Sequence, residues 1–431
     1  MSCASPAKLR EESIAKPMVA GDFESAVAAI EKNKKDLYNS ADDFLYEFDL
    51  GLLEHYGQNW KKSIAHLERA QVILEDLYSR SVTNEAAAIL TNDNVRPYRS
   101  YPFEEEWLYQ TQILNYLALG EVDEAVVESR RALLAVQALK ERDGDKFVES
   151  GALQYLIGLA YEWQKSPDDA RIAYNDAIDN FGGSLGNVPK QAAEIPQGSP
   201  PNQEIVVVGY AGVSPTLAAN EFWGTYAQDG ALVLHYKDAS GKSQTMALAA
   251  VNIAGSDFSG RTMTVQFAIP RMIDRTSQTA GFAVSLDNGE TDGAVGDNLQ
   301  TEIFSSTKTS LKKDLENGQT AMLIRTAARV ILRTIAANKA KDKMETGNGW
   351  VNLLLNIGTD IATGALEQAD LRIGSCMPAS LQILRIPVEA GKHSVKIDAL
   401  DYSRRKIETF STETVNVKKG EKVFVFAPLL R

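Results

Sequence analysis

Two short serine–lysine motifs have the residue types that phosphate binding or nucleophilic catalysis requires. Residues 240–243, "SGKS", resemble part of a phosphate-binding loop, but the complete pattern has a glycine where Tyr236 stands and lies between a strand and a helix. Residues 305–308, "SSTK", have the Ser-x-x-Lys spacing of penicillin-recognising serine enzymes, but the companion Ser-Asp-Asn and Lys-Thr-Gly elements are missing. We therefore expect a polar turn at 240–243 and no serine nucleophile at 305–308.

Histidines, cysteines and carboxylates show no metal or acid–base pattern either. The four histidines are scattered, without an HExxH motif or a carboxylate at metal-ligand spacing: His55, His66, His235 and His393. The two cysteines, Cys3 and Cys376, form neither a CxxC pair nor a disulfide framework. The acidic run 103–107, "FEEEW", fits the first turn of a helix, where carboxylates are stabilising. The sequence predicts no enzyme, no catalytic residue, no metal and no cofactor.

Residues 91–110, "TNDNVRPYRSYPFEEEWLYQ", combine prolines, aromatic residues and arginines between helical segments. Pro97 and Pro102 prevent a continuous helix, and we expect the next helix to begin at about Glu104. Phe103 and Trp107 are four residues apart, so both can face inward. Two interpretations stay open, an ordered plug or a partner-binding loop. The candidate contacts of such a loop are the residue types that often anchor interfaces: Arg96, Tyr98, Arg99, Tyr101 and Trp107.

Composition and charge limit the class of protein. The net charge is -12, which argues against a nucleic-acid partner because neutralising phosphates needs a basic face. With 44% hydrophobic and 24% charged residues, the chain is in the ordinary globular range, and its length predicts more than one domain. The most apolar segment, residues 350–366, contains Asn352, Asn356 and Asp360, and we expect a buried helix there rather than a membrane span.

The first residues, "MSCASP", have the pattern of a bacterial lipoprotein from which the signal peptide has been removed. A small residue, Ser2, precedes Cys3, and a short polar tether follows. Cys3 is therefore a candidate lipidation site, within a tether that we assign to residues 1–10. The alternative is that a cysteine at this position is accidental.

Four segments repeat one helical pattern in which small and large residues alternate at fixed spacing, as in tetratricopeptide repeats. They are residues 21–33, 58–70, 120–132 and 155–177. Small residues at the equivalent positions allow helices to approach closely: Ala26, Ser63, Ala125 and Ala170. The spacing between them is uneven, and residues 91–110 lie in the longest gap. The pattern predicts an N-terminal α-solenoid of tetratricopeptide-like repeats over residues 11–181.

After this region the periodicity changes from helix to strand. Residues 182–203 are rich in Gly, Pro and Ser, which predicts a linker. Residues 204–431 then predict a β-sandwich-like domain with a helical insertion at about 298–370, giving an α+β multidomain protein. The strands are expected at 204–210, at 231–250 as a hairpin turning at 238–242, and at 262–270, 281–287, 380–388, 391–400, 410–417 and 421–428. The insertion predicts three helices, at 298–317, 319–343 and 350–368.

Three longer stretches resemble a family of largely uncharacterised bacterial lipoproteins with an N-terminal tetratricopeptide-like domain. They are residues 91–132, 326–340 and 365–397, in both halves of the chain. The matching residues of the first and third stretches have no known role: Asn92, Asp93, Pro97, Glu367, Gln368, Ala369, Asp370 and Arg372. The loop "IGSC" at 373–376 departs from the Ser-Trp of the family, so any role of that loop is not implied.

The resemblance implies a membrane-anchored protein of the cell envelope and supports lipidation of Cys3. Ala4, rather than Asp, after Cys3 favours the periplasmic side of the outer membrane. The resemblance implies no activity and no catalytic residue. We therefore expect a lipid-anchored scaffold that binds protein partners through its helical-repeat surface. The alternative is an envelope enzyme or a glycan or peptidoglycan receptor with its site at the domain junction, where Asp370, Arg372, Arg96 and Arg99 would supply polar groups.

Overall fold

The structure of the protein, a computed structural model, describes residues 9–81, 96–184, 188–238, 240–248, 251, 262–287, 295–344 and 368–431. The predictions at Cys3, Asn92, Asp93 and Glu367, and nearly all of the helix predicted at 350–368, lie outside these residues.

The described N-terminal part is helical, as the repeated pattern predicts. Its helices are α1 (Lys16–Val19), α2 (Phe23–Lys32), α3 (Lys34–Leu37), α4 (Asp43–Tyr56), α5 (Trp60–Ser81), α6 (Pro102–Leu119), α7 (Val122–Asp143), α8 (Gly151–Trp163), α9 (Pro167–Ser184) and α10 (Lys190–Glu194). Consecutive long helices pack in pairs, α4 with α5, α6 with α7 and α8 with α9. The small residues of the pattern are all buried: Ala26, Ser63, Ala125 and Ala170.

The C-terminal part contains twelve described strands and one long helix, which confirms the α+β class. The strands are β1 (Glu204–Val213), β2 (Thr216–Ala227), β3 (Leu232–Lys237), β4 (Ser243–Leu248), β5 (Thr262–Ile273), β6 (Gly281–Asp287), β7 (Val295–Gln300), β8 (Glu302–Ser306), β9 (Pro378–Pro387), β10 (Gly391–Leu400), β11 (Lys406–Val417) and β12 (Lys422–Leu429); the helix is α11 (Thr307–Met344). They form three four-stranded sheets with the orders β12-β1-β9-β8, β11-β10-β6-β7 and β4-β3-β2-β5.

The predicted strands are all present, but the insertion differs from its prediction. Residues 298–306 belong to β7 and β8 instead of a helix, because β8 pairs with β9 and Phe304 is buried against Tyr155 and Phe181. The helices expected at 298–317 and 319–343 are one helix, α11, without a break. The sequence predictions also missed β2, in which buried and exposed residues alternate and Gly224 is at a buried position.

The sheet β12-β1-β9-β8 is a middle layer with both faces covered. Alternate residues of β1 belong to different cores: Val206 and Tyr210 face the helices, while Ile205 and Val207 face the sheet β11-β10-β6-β7. All ten residues of β1 are buried. This explains why "EIVVVGY" is a continuous apolar run and not an alternating one.

The helices and the middle sheet share one hydrophobic core. His55 and Trp60 contact Phe426, and Trp163 stacks on Phe424 with ring centroids 5.9 Å apart. The segment predicted as a linker also contributes: within α10, Gln191 exchanges hydrogen bonds with the backbone of Arg385. The inward faces of the helices are therefore covered by the chain's own sheet.

The third sheet has its own core, formed with α11. Leu323, Ala327, Ile331 and Ile335 repeat every four residues along one face of α11 and pack against the sheet. Leu311, in the first turns of α11, packs into the core of the helical region. One helix therefore connects the two hydrophobic cores.

Candidate functional site

A cleft of about 570 Å³ lies where the helical region, α11 and the third sheet meet. Segments far apart in sequence line it: residues 96–102, the middle of β5, one face of α11, and residues 368–372. Its lining residues are Arg96, Pro97, Tyr98, Arg99, Ser100, Tyr101, Pro102, Ala268, Ile269, Pro270, Met322, Arg325, Thr326, Ala328, Arg329, Gln368, Ala369, Asp370 and Arg372. The three stretches that carry the family resemblance thus meet at one place.

The segment 96–101 is a fixed, extended wall of the cleft. Tyr98 donates its backbone N–H to the carbonyl of Ala41 at 2.7 Å and its hydroxyl to Glu104 at 2.6 Å. Its ring stacks on Phe44. Pro102 occupies the first turn of α6, where a missing N–H is tolerated, and Glu104 accepts the backbone N–H of Tyr101 just before it. The helix therefore begins at Pro102, two residues before the predicted start.

Residues 368–377, which we call the strap, contribute a second wall and are held by carboxylates of the helices. Gly374 donates its N–H to Glu104 at 2.7 Å, and Ser375 and Cys376 donate theirs to Asp49 at 2.8 and 3.1 Å. Asp49 also accepts the hydroxyl of Tyr38. Buried carboxylates that each accept several N–H or O–H groups fix the strap against the helical region.

Arg372 connects the strap to the segment 96–101. Its guanidinium forms a two-pronged contact with Asp370, at 2.8 and 2.6 Å, and reaches Asp42 at 3.0 Å. It also donates to the carbonyl of Arg96 at 3.0 Å and lies over the ring of Tyr98. These neighbouring carboxylates raise the pKa of Arg372, so the guanidinium stays charged.

The third wall is formed by α11, next to the face that packs on the sheet. Met322, Arg325, Thr326 and Arg329 recur at helical spacing and line the cleft. Arg325 is exposed, whereas Arg329 is only 1% exposed and has a partner of its own.

The cleft is basic although the chain is acidic. Five arginines and a single carboxylate, Asp370, are among the lining residues that the structure describes. Asp370 is already paired with Arg372. Arg99 and Arg325 are exposed, and within the described ranges neither forms an ion pair. The arrangement favours an anion.

The structure brings most of the predicted site residues together. Arg96, Pro97, Tyr98, Arg99 and Tyr101 line the cleft with the strap's Gln368, Asp370 and Arg372. Trp107 is elsewhere: it is 1% exposed and faces Tyr210 in the core between helices and sheet. Tyr98 is 3% exposed, so its ring fills space as the plug interpretation expects.

The acidic run "FEEEW" lies in the first turns of α6, as predicted, but its carboxylates are buried. Glu105 receives hydrogen bonds from Ser100 and Tyr78, and Glu106 accepts the N–H of Ser150 at 2.6 Å. Burial raises the pKa of Glu104 to about 7, against the opposing effect of its Tyr98 and Gly374 donors. These carboxylates fix neighbouring segments and are not a solvated helix start.

A cluster of four buried charged side chains, outside the cleft, joins α8 to the middle sheet. Arg385 lies between Glu162 and Glu204, with nitrogen–oxygen distances of 2.5 and 2.6 Å, and Lys422 reaches both carboxylates at 2.6 Å. All four side chains are at most 4% exposed. The sequence reading missed this cluster, although a lone arginine inside the apolar strand "LQILRIPV" signals a buried partner.

His55 belongs to a buried network and not to a catalytic or metal site. Its Nδ1 lies 2.6 Å from Asn115 Oδ1, and its Nε2 lies 2.7 Å from the hydroxyl of Tyr210. Burial lowers the pKa of His55 to about 4, so the ring is neutral at pH 7. It then donates from Nδ1 and accepts the Tyr210 proton at Nε2, which links α4 and α6 to β1.

The remaining motifs have structural explanations. Residues 240–243 are in a hairpin turn where Asp238 accepts the N–H groups of Ser240 and Lys242, as predicted. In the Ser-x-x-Lys motif at 305–308, Lys308 forms an ion pair with Asp274. In the part of the chain that the structure describes, no group of His, Cys, Asp and Glu could hold a metal ion, and no helix could cross a membrane.

Comparison with known proteins gives no relative: no family model matches the chain, and no curated protein matches it.

Proposed function

We propose that this protein is a receptor that binds a ligand in the cleft between its helical region, α11 and the strap. The observation that carries the proposal is the convergence of four distant segments on one cleft of about 570 Å³ with several arginines. A cleft of this volume with a few charged groups among apolar walls is typical of a small-molecule site. This is the second of the two hypotheses raised by the sequence, without its enzymatic variant.

The packing of the helices supports the receptor over a scaffold that uses an open concave surface. The inward faces of α4, α6 and α8 contact the middle sheet through residues such as His55, Trp107 and Tyr155. A partner segment could reach that surface only if the sheet were displaced. The tetratricopeptide-like assignment of the helix pairs remains part of the proposal, supported by the buried small residues of the repeated pattern.

The cellular setting of the receptor is also proposed. Cys3 would carry the lipid that anchors the protein to the periplasmic side of the outer membrane. A single acyl chain holds a protein only marginally, so stable anchoring would use the several chains of a bacterial lipoprotein. Changing Cys3 to Ser is expected to move the protein from the membrane to the soluble fraction; retention in the membrane fraction would contradict the anchor.

The receptor is tested by screening envelope components for binding to the purified chain. Peptidoglycan fragments, glycans and soluble envelope metabolites are added, and the melting temperature is followed, because a ligand that binds only the folded state raises it. A true cleft ligand should be lost in Gln368→Trp, which places a large ring at an exposed lining position, and kept in Arg130→Ala on α7. If every ligand binds Gln368→Trp as well as the native protein, or if no ligand binds, the cleft is not the site.

One observation favours a scaffold on the outer helical surface as a second candidate. Val72, Leu134 and Ile172, on α5, α7 and α9, are 63%, 68% and 56% exposed. Exposed aliphatic residues on neighbouring helices are suited to a protein partner. Co-purification from cell envelopes with the intact protein and with Leu134→Glu tests it; a partner held equally by both would place the contact elsewhere.

A further inference from the structure

We propose that the cleft recognises a ligand with at least two anionic groups, phosphate or carboxylate, bound between Arg99 on one wall and Arg325 on another. This inference rests on the proposed receptor function and specifies its ligand class. It concerns Arg99, which is predicted from the sequence both as a protein contact and as a polar group of the junction site, and Arg325, which no sequence pattern singles out.

The first support is the distribution of charge. The whole chain has a net charge of -12, yet the described lining of the cleft has five arginines and one aspartate. An anion approaching the acidic surface elsewhere is repelled, whereas the cleft concentrates positive potential between walls of low dielectric constant. A neutral ligand would gain no charge–charge attraction from this arrangement. The arginines also repel one another, which is unfavourable for the folded protein.

The second support is that some of these arginines already have partners in the protein, whereas two do not within the ranges that the structure describes. Arg372 is fixed by Asp370 and Asp42 and holds the strap to the segment 96–101. Arg329 is buried, and both Arg329 and Arg96 have partners of their own. Arg99 and Arg325, by contrast, are exposed and form no ion pair within the ranges that the structure describes. Their guanidinium groups are therefore the ones available to a ligand.

The third support is that the two available arginines come from different walls. Arg99 is on the extended segment before α6, which is anchored by Tyr98, and Arg325 is on α11. A planar guanidinium binds a carboxylate or phosphate through two parallel hydrogen bonds. A ligand with one anionic group can satisfy one wall, whereas a ligand with two can join both.

The apolar part of the lining indicates that the anionic groups are carried on a carbon or phosphate framework and not bound as isolated ions. Pro97, Pro102, Pro270 and Met322 line the cleft together with the arginines. A cleft of about 570 Å³ is several times larger than a single phosphate or carboxylate requires. A compact molecule with separated charges fits both features.

The test uses citrate and tripolyphosphate as the multiply charged probes, one for each kind of anionic group. Acetate and inorganic phosphate are the matching small anions, and sucrose is the neutral control. Binding is measured by titration calorimetry with the intact chain in a buffer of low ionic strength. We expect at least one multiply charged probe to bind, about tenfold or more tightly than its small counterpart, because two charge-assisted contacts replace one.

Four variants assign the binding to the two arginines. Arg99→Ala and Arg325→Ala are each expected to weaken binding of the probe by about tenfold, and the double variant to abolish it. Arg325→Lys keeps the charge but loses the paired hydrogen bonds, so its effect should lie between those of the native residue and Ala. Arg130→Ala, which removes an exposed arginine from α7 and leaves the cleft lining unchanged, is the matched control. Circular dichroism verifies that each variant is folded.

Salt gives an independent readout, because contacts between exposed charges are screened at high ionic strength. Binding of the probe should weaken steeply as sodium chloride is raised, and the Arg99→Ala and Arg325→Ala variants should show a smaller dependence. Which of the two probes binds more tightly decides between carboxylate and phosphate ligands.

Two results would overturn the inference. One is that neither citrate nor tripolyphosphate binds at millimolar concentration; the other is that the double variant binds them as tightly as the intact protein. If the envelope screen then yields a neutral ligand that Gln368→Trp abolishes, the receptor function stands and only the anionic class is wrong. If that screen also yields nothing, both proposals fail.

Discussion

At the scale of single residues, burial decides what each polar side chain can do. His55 is 1% exposed and hydrogen-bonded on both ring nitrogens, to Asn115 and Tyr210. Its neutral form satisfies both partners, whereas a protonated ring would present a second N–H to a hydroxyl and place a charge in the core. The stability of the protein should therefore depend on the protonation of this one histidine.

We expect His55 to destabilise the fold as the solution is acidified. Its pKa is lowered to about 4 in the folded state, against about 6.5 for an exposed histidine, so the stability that it contributes is present above pH 6.5 and is lost as the pH falls toward 4. Between pH 7 and pH 5 the loss should be about 2 kcal/mol. Urea unfolding of the native protein and of His55→Gln at both pH values measures it.

The comparison with His55→Gln is needed because Glu104 titrates in the opposite sense. Its pKa is raised to about 7, so its contribution is present below pH 4.5 and is lost as the pH rises through 7. The difference in unfolding free energy between the native protein and His55→Gln cancels Glu104 and should shrink at pH 5. A difference that is the same at both pH values would contradict the neutral assignment of His55.

Tyr98 and Arg99 are neighbours with opposite roles. Tyr98 is buried, stacks on Phe44 and donates to Glu104, so Tyr98→Ala should lower the unfolding free energy by roughly 3–5 kcal/mol. Arg99→Ala, at an exposed position, should change it by less than about 0.5 kcal/mol. Denaturant titration of the two single variants separates a plug from a binding residue; equal effects would mean that the segment acts as one unit.

At the scale of elements, close approach of helices explains the glycine and alanine positions of the repeated pattern. A Cβ on Gly158 of α8 would lie 2.7 Å from the ring of Tyr174 on α9. The pair α8 and α9 can therefore be this close only with glycine at 158.

Gly158→Ala should destabilise the protein although alanine favours helices. We expect a loss of roughly 1–3 kcal/mol from overpacking against Tyr174. Gly318→Ala in α11 is the matched control, since a Cβ there meets nothing within 4 Å, and it should stabilise the protein by up to about 1 kcal/mol. Thermal unfolding of both variants measures the contrast, and stabilisation by Gly158→Ala would show that the helices can separate at little cost.

At the scale of the whole molecule, the helices and the middle sheet are joined by one core and one ion cluster. Arg385 on β9 and Lys422 on β12 pair with Glu162 of α8 and Glu204 of β1, so the cluster spans the layer boundary. Elements that share a core of this kind should unfold together.

We expect Arg385→Met to destabilise the helices and the middle sheet equally. The substitution leaves two buried carboxylates with Lys422 as their remaining cationic partner. Removing one member of a buried ion cluster typically costs about 3–5 kcal/mol. Hydrogen exchange should then show the same loss of protection in the amides of α8 and of β1. Arg405→Met, at an exposed hairpin arginine, is the control. Protection that falls in β1 and persists in α8 would mean that the two regions unfold separately.

The order of elements could be read from the sequence because local patterns carry it. Apolar and small residues at helical spacing predicted the helix pairs, and β-branched runs between turn residues predicted strands such as β6 and β10 to the residue. The acidic start of α6 and the turn at 240–243 could also be predicted, because neighbouring residues determine both features. Residues 298–306 were assigned to a helix because the strand conformation of β8 depends on pairing with β9, which is far away in sequence.

The sequence by itself determined most of the secondary structure, the acidic charge and the candidate residues Arg96, Arg99, Asp370 and Arg372. Only the tertiary structure decided that these residues share a cleft with Arg325 and Arg329, and that Tyr98 and Trp107 are buried. It also decided that the inward faces of the helices are covered by the chain's own sheet. The physical reason is that spacing along the chain fixes which residues share a face of one element. Which faces meet depends on burial summed over the whole core.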